Sequence, residues 1–196
     1  VAKPSPLVDA LPPRLQSSCW LHVEARAKKW SAEEGHAASE ILTRLLTSGL
    51  GDPSIYFISP FREVALQLRE VLRPIAGKDW VKHHVGTIHT FQGKEADIVC
   101  LVLGASAESS QGSRSWAGRS PNILNVAVTR AKRLLIIIGH QDAWKHAGVF
   151  RLAVSPQRLP RVEYSPSLFV EPVVPSPAQG PKRVSQDGSP PAAGSS

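Results

Sequence analysis

Residues 122–139, NILNVAVTRAKRLLIIIG, join a helical segment to an unbroken apolar run. Residues 122–132 read as a helix and residues 134–139 as a strand. The run from Leu134 to Ile138 does not alternate with polar residues. A strand of that kind is buried on both faces, as in a parallel sheet covered by helices. Residues 97–104, DIVCLVLG, repeat the pattern. Shorter strand candidates lie at 19–23 (CWLHV), 54–59 (SIYFIS) and 85–89. Helical segments fall between them. Ser31 and Glu34 have capping-box spacing, with hydroxyl and carboxylate covering orphan amides. Ala38, Ile41, Leu42, Leu45 and Leu46 follow at helical intervals, and Gly49 suits the stop. Val64, Leu68, Val71 and Leu72 mark a second helix over 61–72. Alternating strands and helices predict a three-layer α/β domain. In such sheets ligands sit beyond the carboxyl ends of the strands, which directs attention to the polar segments that follow them.

The whole chain agrees with one such domain. It has 196 residues, 42% hydrophobic and 20% charged, enough for a packed core. No run approaches the 18 apolar residues of a membrane span, and the first residues carry no secretory h-region. A cytoplasmic protein with no membrane partner is expected. Cys19 and Cys100 are far apart and in no CxxC spacing, which excludes a disulfide framework and a cysteine zinc site. Lys and Arg number 23 against 16 Asp and Glu, a net charge of +7, which favours an anionic partner such as nucleic acid. The chain begins at Val1 and has no Met, so it reads as a processed product, an engineered fragment or a piece of a longer open reading frame. Prolines crowd both ends. They predict a linker over 1–18, the domain over 19–155 and a disordered Pro/Ser/Gly-rich tail over 156–196.

Two segments carry chemistry. In the first, residues 85–99 (VGTIHTFQGKEADIV), a strand runs into a polar turn and a strand restarts. Thr87, His89, Thr90 and Gln92 offer hydroxyl, imidazole and amide groups suited to phosphate oxygens or a ribose. Gly93 provides the turn, and Glu95 is placed to accept hydrogen bonds from sugar hydroxyls. In the second, Arg130, Lys132 and Arg133 precede the buried strand. Arg130 follows Val126 at i+4, on the side of the helix facing the sheet or beside it. A guanidinium there needs an anion, and its fork matches phosphate.

TIHTFQGKEADIV and LNVAVTRAKRLLIIIG resemble motifs V and VI of superfamily 1 helicases, in the branch of the nonsense-mediated-decay RNA helicase and its DNA-processing relatives. IYFISPF resembles motif IV of that branch. The resemblance spans about residues 20–153 and implies a RecA-like P-loop NTPase fold, as the second motor lobe. It implies that Arg130 is the catalytic arginine reaching the γ-phosphate of ATP. Glu95 would hold the nucleotide ribose, and Gln92 and Gly93 would couple nucleotide to nucleic acid. Thr87, His89 and Thr90 would grip the nucleic-acid backbone, with Ser59 and Arg62 contributing from motif IV. The implied partners are ATP with Mg2+, single-stranded DNA or RNA, and an N-terminal RecA-like lobe of the same parent chain.

The 196 residues contain no GxxxxGK[ST] loop to cradle phosphates and no acidic pair after a strand to hold magnesium. The chain is therefore expected to hold half of a composite site and to be inactive alone. A helicase-like module that binds nucleic acid or a protein without catalysis is the alternative. Other residues have bland readings. Arg130 also reads as a helix-end arginine paired to a carboxylate, His89 as a core histidine, and Asp97 as a solvated turn residue. His83 and His84 read as an exposed strand edge rather than metal ligands, and no metal site is expected. Residues 109–122, SSQGSRSWAGRSPN, read as a surface loop, mobile or touching phosphate through Arg114 and Arg119. Trp116 in that loop reads as a packing residue or as one that stacks on bases.

Overall fold

In the computed structural model of the chain, the described residues are 5–91, 93–119, 121–155 and 157–170, with Pro121 and Asn122 described by backbone only. The apolar runs form the middle of a six-stranded sheet. Its strands are β1 (Cys19–His22), β2 (Ile55–Ser59), β3 (Val85–Thr87), β4 (Ala96–Val102), β5 (Ala131–Gly139) and β6 (Arg161–Glu163). Their order is β3-β2-β4-β5-β1-β6, and every pairing is parallel. Successive residues of β4 and β5 serve opposite faces. Ile98, Cys100, Leu134, Ile136 and Ile138 pack into one core, and Val99, Leu101, Leu135 and Ile137 into the other. That two-sided burial is why these strands carry no polar alternation.

The first core is covered by α2 (Ala32–Thr47) and α3 (Arg62–Ala76) through Ile41, Leu42, Leu45, Val64, Leu68 and Leu72. The second is covered by α5 (Gln111–Arg119), α6 (Pro121–Arg130), α7 (Gln141–Trp144) and α8 (Phe150–Ala153), which bring Ala117, Ile123, Ala127, Trp144 and Phe150. The result is the three-layer α/β arrangement expected of a RecA-like lobe. A short α1 (Pro6–Asp9) precedes the sheet, and α4 (Lys78–His84) leads into β3.

Several local expectations change. Ordered structure extends past both Pro-rich boundaries. Leu11 and Leu15, inside the expected linker, are buried in the first core, and the Ser18 hydroxyl accepts the Leu135 amide at 3.0 Å. On the other side, β6 pairs with β1 and buries Val162, while the Tyr164 hydroxyl donates to Glu40 at 3.0 Å. The open edge of β1 presents unpaired backbone groups, and three residues of β6 satisfy them. The rest of the expected tail, 171–196, lies outside the described residues. His83 and His84 belong to the last turn of α4 rather than to a strand edge. Their Nδ1 atoms meet the Asp79 and Trp80 carbonyls one turn back, at 2.8 and 2.9 Å. The Ser/Gly segment is mostly helical, as α5.

The capping box at Ser31 is half realised. Its hydroxyl oxygen accepts the Glu34 amide at 3.2 Å. The Glu34 carboxylate does not reach back. It is fully buried and accepts the Gly104 amide at 2.7 Å, fastening α2 to the end of β4.

Candidate nucleotide and nucleic-acid interface

Motif-bearing residues occupy both edges of the sheet. At the carboxyl edge, β2 and β3 end side by side, with Ser59 in register with Thr87. Ser59 is fully buried and its hydroxyl oxygen accepts the Phe61 amide at 3.2 Å. It was expected to touch nucleic acid. Its burial makes it instead the residue that shapes the turn into α3. That turn presents Arg62, exposed, as the first residue of the helix. Arg62, Thr87 and His89 line one groove of about 640 Å³, joined by Lys29 and Trp116. His89 and Thr90 are exposed, so His89 is not a core histidine. The Thr90 hydroxyl lies 3.2 Å from that of Thr87. Lys29 is a residue that sequence reasoning passed over, because the run AKKW carries no motif. It pairs with Glu63 at 3.5 Å on the rim.

The chain then returns from the carboxyl edge to the amino edge within residues 88–95. A 3-10 turn, Ile88–Phe91, is anchored by the fully buried Phe91 ring. Gly93 follows at φ 85°, the left-handed conformation a glycine adopts without cost. Gln92 lies outside the described residues. Glu95 is half exposed and pairs with Lys132 at 3.7 Å. Such an exposed pair contributes at most about 1 kcal/mol and exchanges readily. Asp97 is part of β4 rather than a solvated turn residue, and its carboxylate meets Arg133 at 3.5 Å.

Arg130 closes α6 immediately before β5, whose first residue Ala131 pairs with Ala96 of β4. Its Nη1 donates to the Lys94 carbonyl at 3.4 Å and its Nη2 to the Thr129 hydroxyl at 3.3 Å. Its Nε is buried and has no hydrogen-bond partner among the described residues. No carboxylate pairs with Arg130 among the described residues either, which removes the helix-end ion pair as its explanation. Arg130, Gly93 and Glu95 therefore converge at the amino ends of β4 and β5. Of the residues singled out in the sequence, Arg62, Thr87 and His89 lie where strands end. The other group precedes them.

Arg114 is not on a surface loop but on α5. It is buried, and its guanidinium donates to the carbonyls of Ala105 and Ala107, both at 2.6 Å. Burial lowers its pKa from the ordinary arginine range.

One further polar cluster lies beyond β1 and β5. His22, His140 and Asp142 place a ligand atom each within 4.8 Å of one another. The histidines do not suit a cation. His22 Nδ1 accepts the Gln141 amide at 3.0 Å, and His140 Nδ1 accepts the Ala143 amide at 3.1 Å. Each neutral ring therefore keeps its proton on Nε2, the atom facing Glu24 at 3.4 and 2.9 Å. A metal ligand normally donates its second ring N–H, which both backbone amides forbid here.

Comparison with known proteins gives the family of the chain. A family model described as an AAA domain (AAA_12) matches residues 8–142, more than half of the chain. The regulator of nonsense transcripts 1 homolog of Drosophila melanogaster is 29% identical over 124 residues, covering 58% of this chain and 10% of that protein. The DNA replication ATP-dependent helicase/nuclease JHS1 of Arabidopsis thaliana is 27% identical over 110 residues, 55% of this chain and 8% of that protein. RNA helicase Mov10l1 of Mus musculus is 31% identical over 103 residues, 51% and 8%. The chain thus spans about a tenth of the length of the curated relatives it matches. No helix among the described residues is long and apolar enough to cross a membrane. With motifs V and VI meeting at β4 and β5, the chain belongs to the AAA_12 family of AAA domains, as a RecA-like lobe of the superfamily 1 helicase type.

Proposed function

We propose that this lobe is the second motor lobe of an ATP-dependent nucleic-acid helicase or translocase, supplying Arg130 to a composite ATP site completed by an N-terminal lobe. The observation that carries the reading is the state of Arg130. A guanidinium with a buried, unpartnered Nε, held by two long hydrogen bonds and no carboxylate, is kept for an anion. In the closed motor that anion is the γ-phosphate of ATP, with Mg2+ and the phosphate loop belonging to the other lobe. Arg130 stabilises the charge that builds during transfer, a contribution worth about 10³–10⁵ in rate. Glu95 exchanges its exposed Lys132 partner for the ribose hydroxyls. Gly93, at the turn before β4, and its neighbour in sequence Gln92 would couple the nucleotide to the strand.

The carboxyl-edge groove takes the backbone of a single strand of DNA or RNA. Arg62 meets phosphate, and Thr87, His89 and Thr90 offer hydroxyl and imidazole groups to the same backbone. Residues 88–95 are one short connection between strand grip and nucleotide, with Phe91 fixed in the core at its centre. Lobe closure on ATP would move both ends together.

The test is ATP hydrolysis by the full-length protein carrying this lobe, with and without single-stranded DNA or RNA, in wild type and R130A. Strand-stimulated hydrolysis that collapses in R130A is expected. Hydrolysis indifferent to Arg130 overturns the assignment, and strand binding without hydrolysis in either form identifies a non-catalytic binding module.

A further inference from the structure

We propose that Trp116 is a stacking platform for an unpaired nucleobase of the strand lying in the groove of Arg62, Thr87 and His89. The inference rests on the assignment of that groove to nucleic acid in the preceding subsection. Trp116 is 55% exposed, in contrast to Trp20 and Trp144, which are fully buried. Leu66, 47% exposed, lines the same groove, so Trp116 is part of an apolar wall rather than a lone exposed ring. The helix that carries Trp116 is fixed at several points. Arg114, two residues earlier on α5, is pinned by two carbonyls at 2.6 Å. Two residues later, a Cβ on Gly118 would lie 2.4 Å from the Ala147 carbonyl oxygen, and the Gly118 carbonyl accepts the Val149 amide at 3.0 Å.

The ring itself is backed by other rings. Its centroid lies 6.0 Å from that of Phe61 with planes 34° apart, and Phe61 lies 6.3 Å from Trp144. Trp144 in turn packs edge-on against Phe150 at 4.8 Å, and its indole N–H donates to the Gly104 carbonyl at 2.9 Å. A column of aromatic groups thus runs from the core to the groove, and Trp116 is its exposed end. The groove around it is of mixed character. Arg62 and Lys29 supply positive charge, Thr87 a hydroxyl and His89 an imidazole, while Trp116 and Leu66 supply apolar surface. A polymer whose repeat unit pairs an anionic backbone group with a flat aromatic ring complements both halves. Because every base has a π-face, stacking on Trp116 tolerates any sequence.

The test uses the 196-residue chain and a labelled oligothymidylate in near-physiological salt, with an abasic strand of equal phosphate number as the control. Wild-type tryptophan fluorescence is expected to be quenched by the oligothymidylate and not by the abasic strand. W116A is expected to bind the oligothymidylate about tenfold more weakly and the abasic strand as wild type does, while W116F keeps most of the affinity. Because Trp116 is exposed, both variants should melt as wild type does. If W116A binds the oligothymidylate as wild type does while R62A binds it more weakly, the stacking role is overturned and the groove assignment stands. If wild type binds neither strand, the groove assignment fails and the stacking role fails with it.

Discussion

The Arg130 guanidinium donates to the Lys94 carbonyl across 3.4 Å, which ties the last residue of α6 to the turn that precedes β4. The bond crosses between the two sequence segments that stood out at the start, and it is long. It orients the guanidinium without saturating it, leaving further N–H donors on Nη1 and Nη2 for the anion proposed above. Three residues before Lys94, the Phe91 ring is buried, and four residues before that, Thr87 opens onto the carboxyl-edge groove.

Replacing Arg130 by Lys is expected to fail almost as completely as replacing it by Ala. An ammonium keeps the charge and loses the planar fork that holds Lys94 and an anion at once. Steady-state hydrolysis by the full-length protein should fall by about 10³ or more in both variants. Thermal melts of the chain should stay close to wild type, because the bonds lost are long and partly exposed.

The strands of the centre were legible because burial on both faces leaves no room for polar residues, and β4 and β5 show it in every position from Ile98 to Val102 and from Leu134 to Ile138. Other features depend on distant partners that no local pattern records. The Ser31–Glu34 spacing announces a helix start, but the carboxylate finds Gly104, 70 residues away. Residues 111–119 look like a loop by composition and become α5 because Arg114 and Gly118 are held by carbonyl and backbone groups elsewhere. The prolines near Leu11 and Leu15 masked two side chains whose burial makes that segment part of the fold. The motifs announced Arg130 and Glu95, but only the topology shows that they sit at the opposite sheet edge from Thr87.

Glu34 should reveal itself through pH. Burial pushes its pKa up to about 8, while the Gly104 amide works in the opposite direction. A carboxyl whose folded pKa lies above its unfolded value of about 4.5 stabilises the fold at low pH and loses that contribution as pH rises from 4.5 to 8. E34Q keeps an oxygen for the Gly104 amide and removes the ionisation. Its melting temperature relative to wild type should therefore climb steadily between pH 5 and about 8. A constant difference across that range would show that Glu34 does not titrate there.

His22 should act in the other direction. Burial lowers its pKa first, Arg161 and His140 lower it further, and Glu163 and Glu24 oppose them. Protonation also places a hydrogen on Nδ1, where the Gln141 amide already donates. A histidine with a depressed folded pKa contributes stability that is complete above its unfolded pKa of about 6.5 and is lost as pH falls below it. H22N, whose carboxamide oxygen can accept the same amide, should flatten the acid side of the stability profile in thermal melts from pH 7 to 5.

The groove at the carboxyl edge makes an electrostatic prediction that separates its residues. Arg62 is an exposed cation at the head of α3, and R62A should lower the slope of log affinity against log salt by about 0.7 for a single strand. Lys29 and Glu63 form an ion pair on the rim, 3.5 Å apart and both about half exposed. Glu63 therefore neutralises charge that Lys29 would otherwise offer to a phosphate in the proposed strand groove. E63Q should free Lys29 and tighten strand binding several-fold at low salt, with the gain fading as ionic strength rises. K29A should weaken binding and abolish the gain from E63Q in the double variant. Fluorescence anisotropy with a labelled oligonucleotide across a salt series checks all three. An E63Q effect that persists unchanged in K29A would locate the neutralised charge at Arg62 instead, the neighbouring residue on the same helix.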